Sequence, residues 1–171
     1  QRFGETVLPF SDPHGLRLAL AATERPLATT PWSASPVPAE HQLRGMHSVR
    51  LLERELAPTA AFLTGTLGFR GIGEEGGWHR FAVEEGRSGQ LVDVMELPGE
   101  RRGAWGTGGV HHVAWRVLDT PEEMAMRAAV AAAGLQPTQQ IDRFWFKSVY
   151  FREPGGVLFE LATDGPGFAA D

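Results

Sequence analysis

Two residues with the chemistry of metal ligands sit in runs that otherwise read as protein core. His112 lies in Gly109-Val110-His111-His112-Val113-Ala114-Trp115-Arg116-Val117, and Glu160 in Gly156-Val157-Leu158-Phe159-Glu160-Leu161. Both runs are apolar, rich in β-branched residues and bounded by Gly or Pro, as short strands are. A carboxylate inside Val-Leu-Phe-Glu-Leu-Ala is expensive to bury without a partner. A cation shared with an imidazole would supply one. The chain has no cysteine, so any metal must rest on nitrogen and oxygen ligands. Two His and one carboxylate leave faces of an ion open, which suits Fe(II) oxygen chemistry. The competing reading makes His112 a hydrogen-bonded core histidine and Glu160 an edge charge.

The elements that must position these residues emerge from an internal repeat. Phe10-Ser11-Asp12-Pro13-His14-Gly15-Leu16-Arg17-Leu18-Ala19-Leu20-Ala21 matches Phe151-Arg152-Glu153-Pro154-Gly155-Gly156-Val157-Leu158-Phe159-Glu160-Leu161-Ala162 without a gap. Each pairs a Pro-Gly turn with an alternating strand. The first copy carries Ala19 where the second carries Glu160, so residues 1–24 read as the last strands of a preceding, truncated module. Residues 25–42 form a Pro-rich linker.

From residue 43 to 98 the order is strand, helix, strand, strand, strand. A first strand is expected over Gly45 to Leu52, a helix over Pro58 to Leu67, and strands around Phe69 to Ile72, Trp78 to Glu84 and Gln90 to Leu97. The same order returns over 109–164, with a strand from His111 to Val117. Thr120 is expected as the N-cap of the helix that follows, with Pro121 at N1, Glu123 at N3 and Gly134 as its stop. Strands around Thr138 to Ile141, Phe144 to Phe151 and Val157 to Ala162 complete the unit. The fold class expected is α+β, built of tandem βαβββ modules forming curved mixed sheets. Aligning the modules sets His47 on His112 and Asp93 on Glu160.

These units resemble the vicinal oxygen chelate superfamily, which includes glyoxalase I, bleomycin-resistance proteins and extradiol dioxygenases. More narrowly, the His-His-Val-Ala-x-Arg-Val strand, Asp142-Arg143-Phe144-Trp145-Phe146-Lys147-Ser148-Val149-Tyr150-Phe151-Arg152-Glu153-Pro154-Gly155-Gly156 and Phe159-Glu160-Leu161-Ala162-Thr163 are similar to the C-terminal half of a ring-cleaving, hydroquinone-type dioxygenase. The likeness covers nearly all of the chain from Phe10 onward and is strongest over 109–163. It implies Fe(II), with Mn(II) or another divalent metal as substitute, held by His112 and Glu160. It places the third ligand on a His upstream of Gln1 and makes this chain a C-terminal piece. His47 is the competing third ligand. The resemblance further assigns His111 to proton movement near neutral pH. Tyr150 would donate a hydrogen bond to a bound phenolate or oxygen species, and Arg143 would stabilise developing negative charge. By themselves, Arg143 and Tyr150 read as ordinary strand residues, and His111 as a surface histidine. Trp78, His79, Trp105, Phe144 and Trp145 could line a ring pocket, but aromatics in a small sheet are more often core, and none of them is assigned to the site. Asp93 and Glu96 suggest a four-ligand isomerase pattern, yet strand alternation sets them on opposite faces.

Composition narrows the partners. With 171 residues, 42% hydrophobic and 22% charged, the chain can bury a real core. A net charge of −5 without a basic run argues against nucleic acid, and no apolar run is long enough for a membrane span. The absence of cysteine is compatible with the cytoplasm. The expected partners are a small aromatic substrate and O2, with homo-oligomerisation or pairing with a missing N-terminal half. Two other classes stay in view, a glyoxalase-like metal isomerase or lyase and a non-catalytic small-molecule-binding module of the bleomycin-resistance type.

Overall fold

The computed structural model describes residues 1–24, 26, 28–101 and 103–169, so Arg25 and Leu27 of the linker lie outside the described residues. The chain divides into two compact units, Gln1–Leu52 with Phe69–Met95, and Glu53–Gly68 with Glu96–Asp171. Among the described residues no helix is long and apolar enough to cross a membrane.

The first unit opens with an antiparallel hairpin of β1 (Thr6–Ser11) and β2 (Arg17–Ala22). Its turn is closed by Asp12, whose Oδ1 accepts from the N–H groups of His14 and Leu16, each at 2.8 Å. Leu8 faces Leu20 and Phe10 faces Leu18 across the ladder. All four are exposed, which gives the hairpin one open apolar face. After a single 3-10 turn at Ala39–His41 comes a four-stranded sheet of order β3-β6-β5-β4. Its strands are β3 (Ser48–Glu53), β4 (Arg70–Glu75), β5 (Trp78–Ala82) and β6 (Leu91–Glu96). Phe81, Leu91, Val92 and Val94 form its buried core.

The second unit carries α1 (Leu56–Gly65), β7 (Val113–Val117), α2 (Thr120–Ala132), β8 (Ile141–Asp142), β9 (Lys147–Arg152) and β10 (Leu158–Thr163). The sheet order is β7-β10-β9-β8, with β10 parallel to β7 and antiparallel to β9. Helix α1 belongs by chain order to the earlier βαβββ run, but it packs here. Phe62 meets Phe151 edge-on at 5.8 Å, and Thr59 Oγ1 donates to Glu153 Oε2 at 2.7 Å. Glu96 Oε2 accepts from Leu56 N at 2.8 Å and satisfies the first turn of α1, which has no capping side chain of its own. Among the described residues, two four-stranded sheets and two α-helices meet the α+β expectation.

Helix α2 starts one residue earlier than its capping pattern suggests. Asp119, not Thr120, is the N-cap, and its carboxylate accepts from Glu122 N at 3.0 Å. Glu122 Oε2 in turn accepts from Leu118 N at 2.6 Å, one residue before the N-cap, so the return bond of the box lands a residue outside its usual place. A carboxylate also interacts with the positive end of the helix, which a threonine hydroxyl does less well. Gly134, at φ +86°, follows the Ala133 C-cap and ends the helix as expected. Asp119→Ala should therefore cost about 1 kcal/mol. In a domain of this size that is a fall of roughly 2–4 °C in Tm. A thermal melt unchanged within a degree would remove Asp119 from this role.

Candidate metal centre

Register brings the site together. On β10, Glu160 lies opposite Tyr150 of β9 on one side and Ala114 of β7 on the other. The β7–β10 ladder begins with Val113 opposite Phe159, so His111 and His112 stand just before the strand and not within it. Outside the ladder, strict alternation of faces is not imposed. The two imidazoles turn toward each other, Nδ1 to Nδ1 at 2.9 Å, where a regular strand would separate them.

Glu160 is 3% exposed, and its Oε2 lies 2.7 Å from His112 Nε2. Its second oxygen, Oε1, is buried with no hydrogen-bond partner among the described residues. A buried carboxylate oxygen in that state is costly unless something cationic completes it. The pair therefore fits a divalent ion, with both donor atoms converging and lone-pair capacity unused. Among the described residues no three His, Cys, Asp or Glu side chains are grouped to hold an ion.

Tyr150 flanks the pair. Its ring stands at 88° to that of His112 with centroids 5.6 Å apart. Its backbone is pinned on both sides by Thr138, whose Oγ1 accepts from Tyr150 N at 3.0 Å and whose N–H donates to Tyr150 O at 2.8 Å. Arg143 Nη2 donates to Tyr150 Oη at 3.4 Å, a long bond. Arg143 sits in a tight turn that runs into the start of the strand expected from Phe144. Asp142 Oδ1 accepts from Phe144 N at 2.8 Å, an Asx-turn that carries Phe144 to φ +71° and delays β9 until Lys147.

Trp105 and Arg152 form a stack on His111 that sequence spacing did not single out. The Trp105 indole lies on the His111 ring at 4.7 Å and 26°, and the Arg152 guanidinium covers that indole at 5.3 Å. Arg152 is itself held by Gly156 O at 2.8 Å. Phe144 and Trp145 meet edge-on at 5.5 Å, and both are exposed.

The aligned positions of the first unit are filled differently. His47 immediately precedes β3, and Asp93 of β6 lies opposite Arg80 of β5. Arg80 grips Asp93 with two bonds, Nε to Oδ1 at 2.7 Å and Nη2 to Oδ2 at 2.9 Å, and reaches Glu5 Oε2 at 3.1 Å. His47 has Nε2 on Glu5 Oε1 at 2.9 Å and Nδ1 on Ser48 Oγ at 3.1 Å, so both ring nitrogens are engaged. Burial lowers the affinity of Arg80 for its proton, but the bonds to Asp93 and then Glu5 outweigh it and push its pKa up. Trp78 lies beneath the Arg50 guanidinium at 3.3 Å, and His79 Nδ1 is 3.6 Å from Glu74. Glu96, as described, caps α1.

Similarity to known proteins follows these positions. A Bacillus subtilis protein provisionally named as the ring-cleaving dioxygenase MhqO is 37% identical over the whole of this chain and 54% of its own length. The chlorohydroquinone/hydroquinone 1,2-dioxygenase of Sphingobium indicum is 32% identical over 95% of this chain and 52% of its own length. A crystal structure of a provisionally named Bacillus subtilis dioxygenase superposes with a TM-score of 0.91 at 37% identity, covering 100% of this chain and 54% of that one. The chain thus spans about half the length of the curated relatives it matches. The family model of the Glyoxalase/Bleomycin resistance protein/Dioxygenase superfamily matches residues 45–161, a stretch that takes in both repeated units and both runs bearing His112 and Glu160, and this chain belongs to that superfamily.

Proposed function

We propose that this chain supplies the metal-holding part of a ring-cleaving dioxygenase acting on hydroquinone- or catechol-like aromatics with O2. The observation that carries the reading is the convergence of His112 Nε2 and Glu160 Oε2 at 2.7 Å, with the buried Oε1 of Glu160 unpartnered beside them. His112 and Glu160 would hold Fe(II), with Mn(II) or another divalent ion as substitute. The third ligand is a His on the part of the protein upstream of Gln1, with His47 as the competing choice. Against His47 stands the engagement of both its nitrogens. When bound, the ion supplies a Lewis-acidic meeting point that lowers the pKa of a ring hydroxyl and brings O2 beside it.

The chain's own residues do the rest. A cation on His112 Nε2 leaves that ring's proton on Nδ1, which then donates to His111 Nδ1. His111, which is exposed, in turn keeps its proton on Nε2 and can donate it outward. Tyr150 Oη accepts from Arg143, so its own hydroxyl hydrogen is available to a substrate oxygen. The Arg143 guanidinium favours negative charge on that oxygen. Assembly with the N-terminal half or a second copy, and a cytoplasmic location, complete the proposal.

Oxygen uptake with hydroquinones by the full-length protein, with and without added Fe(II), tests the reading. Uptake that depends on both supports it. An Fe(II)-independent protein that only binds the aromatic would make it a binding module, and isomerisation without oxygen uptake would make it a glyoxalase-like enzyme. Tyr150→Phe should retain metal while oxygen uptake at saturating substrate falls by about 10²-fold, in the range typical of a positioned proton donor. Wild-type turnover in that variant would remove Tyr150 from the chemistry.

A further inference from the structure

One face of the first unit's sheet carries more cationic groups than its carboxylates can pair. Trp78 and Arg80 stand two apart on β5, opposite Met95 and Asp93 of β6, so these four side chains share a face. Arg50 of β3 reaches the same face, its guanidinium carbon 3.3 Å from the centre of the Trp78 ring. Arg80 takes both oxygens of Asp93 and one of Glu5, and the other Glu5 oxygen is bonded to His47. Both carboxylates are thereby engaged before Arg50 is reached. The Arg50 Nε is buried and meets no acceptor among the described residues. A buried donor without an acceptor is costly, and more so on a charged group.

The surrounding charge adds to that cost. Burial pushes the Arg50 pKa down to about 10, and the positive charges of Arg2, Arg17 and Arg80 push the same way, Arg2 most strongly. Asp93 acts in the opposite sense but does not reverse the shift. Four guanidiniums are thus set against two carboxylates, Asp93 and Glu5.

We propose that this face binds a small tetrahedral oxyanion of the phosphate type, with the Arg50 Nε–H as donor and with Arg2 and Arg17 supplying further positive charge. The inference uses the first unit alone and is independent of the oxygenase reading of the second. A guanidinium offers planar, paired N–H groups that match the oxygens of a phosphate. The contact with Trp78 engages its face and consumes none of those donors. Asp93 and Glu5 repel an anion, but each is bonded to Arg80, which offsets its charge. Arg17 is exposed and Arg2 and Arg50 are half-buried, so an ion can arrive from solvent.

Inorganic phosphate is the probe. Calorimetric titration of the full-length protein, in chloride buffer at constant ionic strength, should show saturable uptake of one phosphate per chain. Arg50→Met keeps most of the stem over Trp78 and should weaken that uptake by about tenfold or more. The melting temperature should rise with phosphate in wild type and not in Arg50→Met. Phosphate bound elsewhere, the second unit included, is common to both proteins and cancels in the comparison. No uptake at millimolar phosphate, or uptake that Arg50→Met leaves unchanged, overturns the proposal. Should Arg50→Met fail to fold, Arg17→Gln decides the matter, because that side chain is exposed. Weaker phosphate binding in Arg17→Gln supports the site, and wild-type binding overturns it.

Discussion

Glu160→Gln in the full-length protein is expected to weaken metal retention by more than the roughly 10–100-fold that loss of an outer-sphere partner costs, with oxygen uptake falling in parallel. The substitution keeps the shape of the side chain between Phe159 and Leu161 and its packing in β10. It removes the negative charge and replaces one acceptor oxygen by an NH2 that cannot bind a cation. The neutral amide oxygen that remains is a much weaker ligand than a carboxylate, so His112 Nε2 would carry most of what binding this chain still offers. Metal content after desalting, measured beside the melting temperature of the metal-free protein, separates lost ligation from lost fold. The metal-free variant should melt no lower than wild type, since a buried carboxylate oxygen without a partner has been neutralised. Iron retained at wild-type level, with undiminished oxygen uptake, would sink the assignment of Glu160 as a ligand.

The parts of this site that were readable in the sequence are those encoded locally. Glu160 could be singled out because a carboxylate conflicts with an apolar strand, and the repeat then located both His positions. The opposition of Glu160 and Tyr150 follows from the Glu-Pro-Gly-Gly turn, which fixes the β9–β10 register. Local signals were also nearly right for α2, where Asp119 and Thr120 are both good caps and the stronger acceptor prevails. What could not be read depends on distant partners. Helix α1 follows β3 in the chain, yet its Phe62 and Thr59 find partners in Phe151 and Glu153 of β9 and the residue after it. The Arg152 guanidinium over the Trp105 indole joins two residues of the second unit that lie far apart in the chain, and no periodicity reports it. Glu5 is the clearest case. In the sequence it is one acid in an N-terminal segment, and only the fold shows it bridging His47 and Arg80.

Asp93→Ala should be among the most damaging substitutions in the first unit, because it strands a buried cation. Arg80 would keep only Glu5 at 3.1 Å and the face of Phe3, whose ring centre lies 4.0 Å from the guanidinium carbon. Breaking a buried pair by removing one member costs about 3–5 kcal/mol. At roughly 2–4 °C per kcal/mol, that is a fall of about 6–20 °C in Tm. Replacing both members, Asp93→Ala with Arg80→Leu, should recover much of the loss, since the penalty lies in the unpaired charge and not in the absent bonds. Acid sharpens the effect through Glu5. Burial raises its pKa, but the bonds from Arg80 and His47 outweigh this and hold it below the ordinary 4.5. A carboxylate held low in the folded state contributes stability above its unfolded pKa and loses it as pH falls through the folded value. In Asp93→Ala, Glu5 is the remaining carboxylate bonded to Arg80, so unfolding on acidification below about pH 4.5 should begin earlier than in wild type. A single variant that melts within about 1 kcal/mol of wild type at neutral pH would mean that water reaches Arg80 and that the enclosed network has been misread.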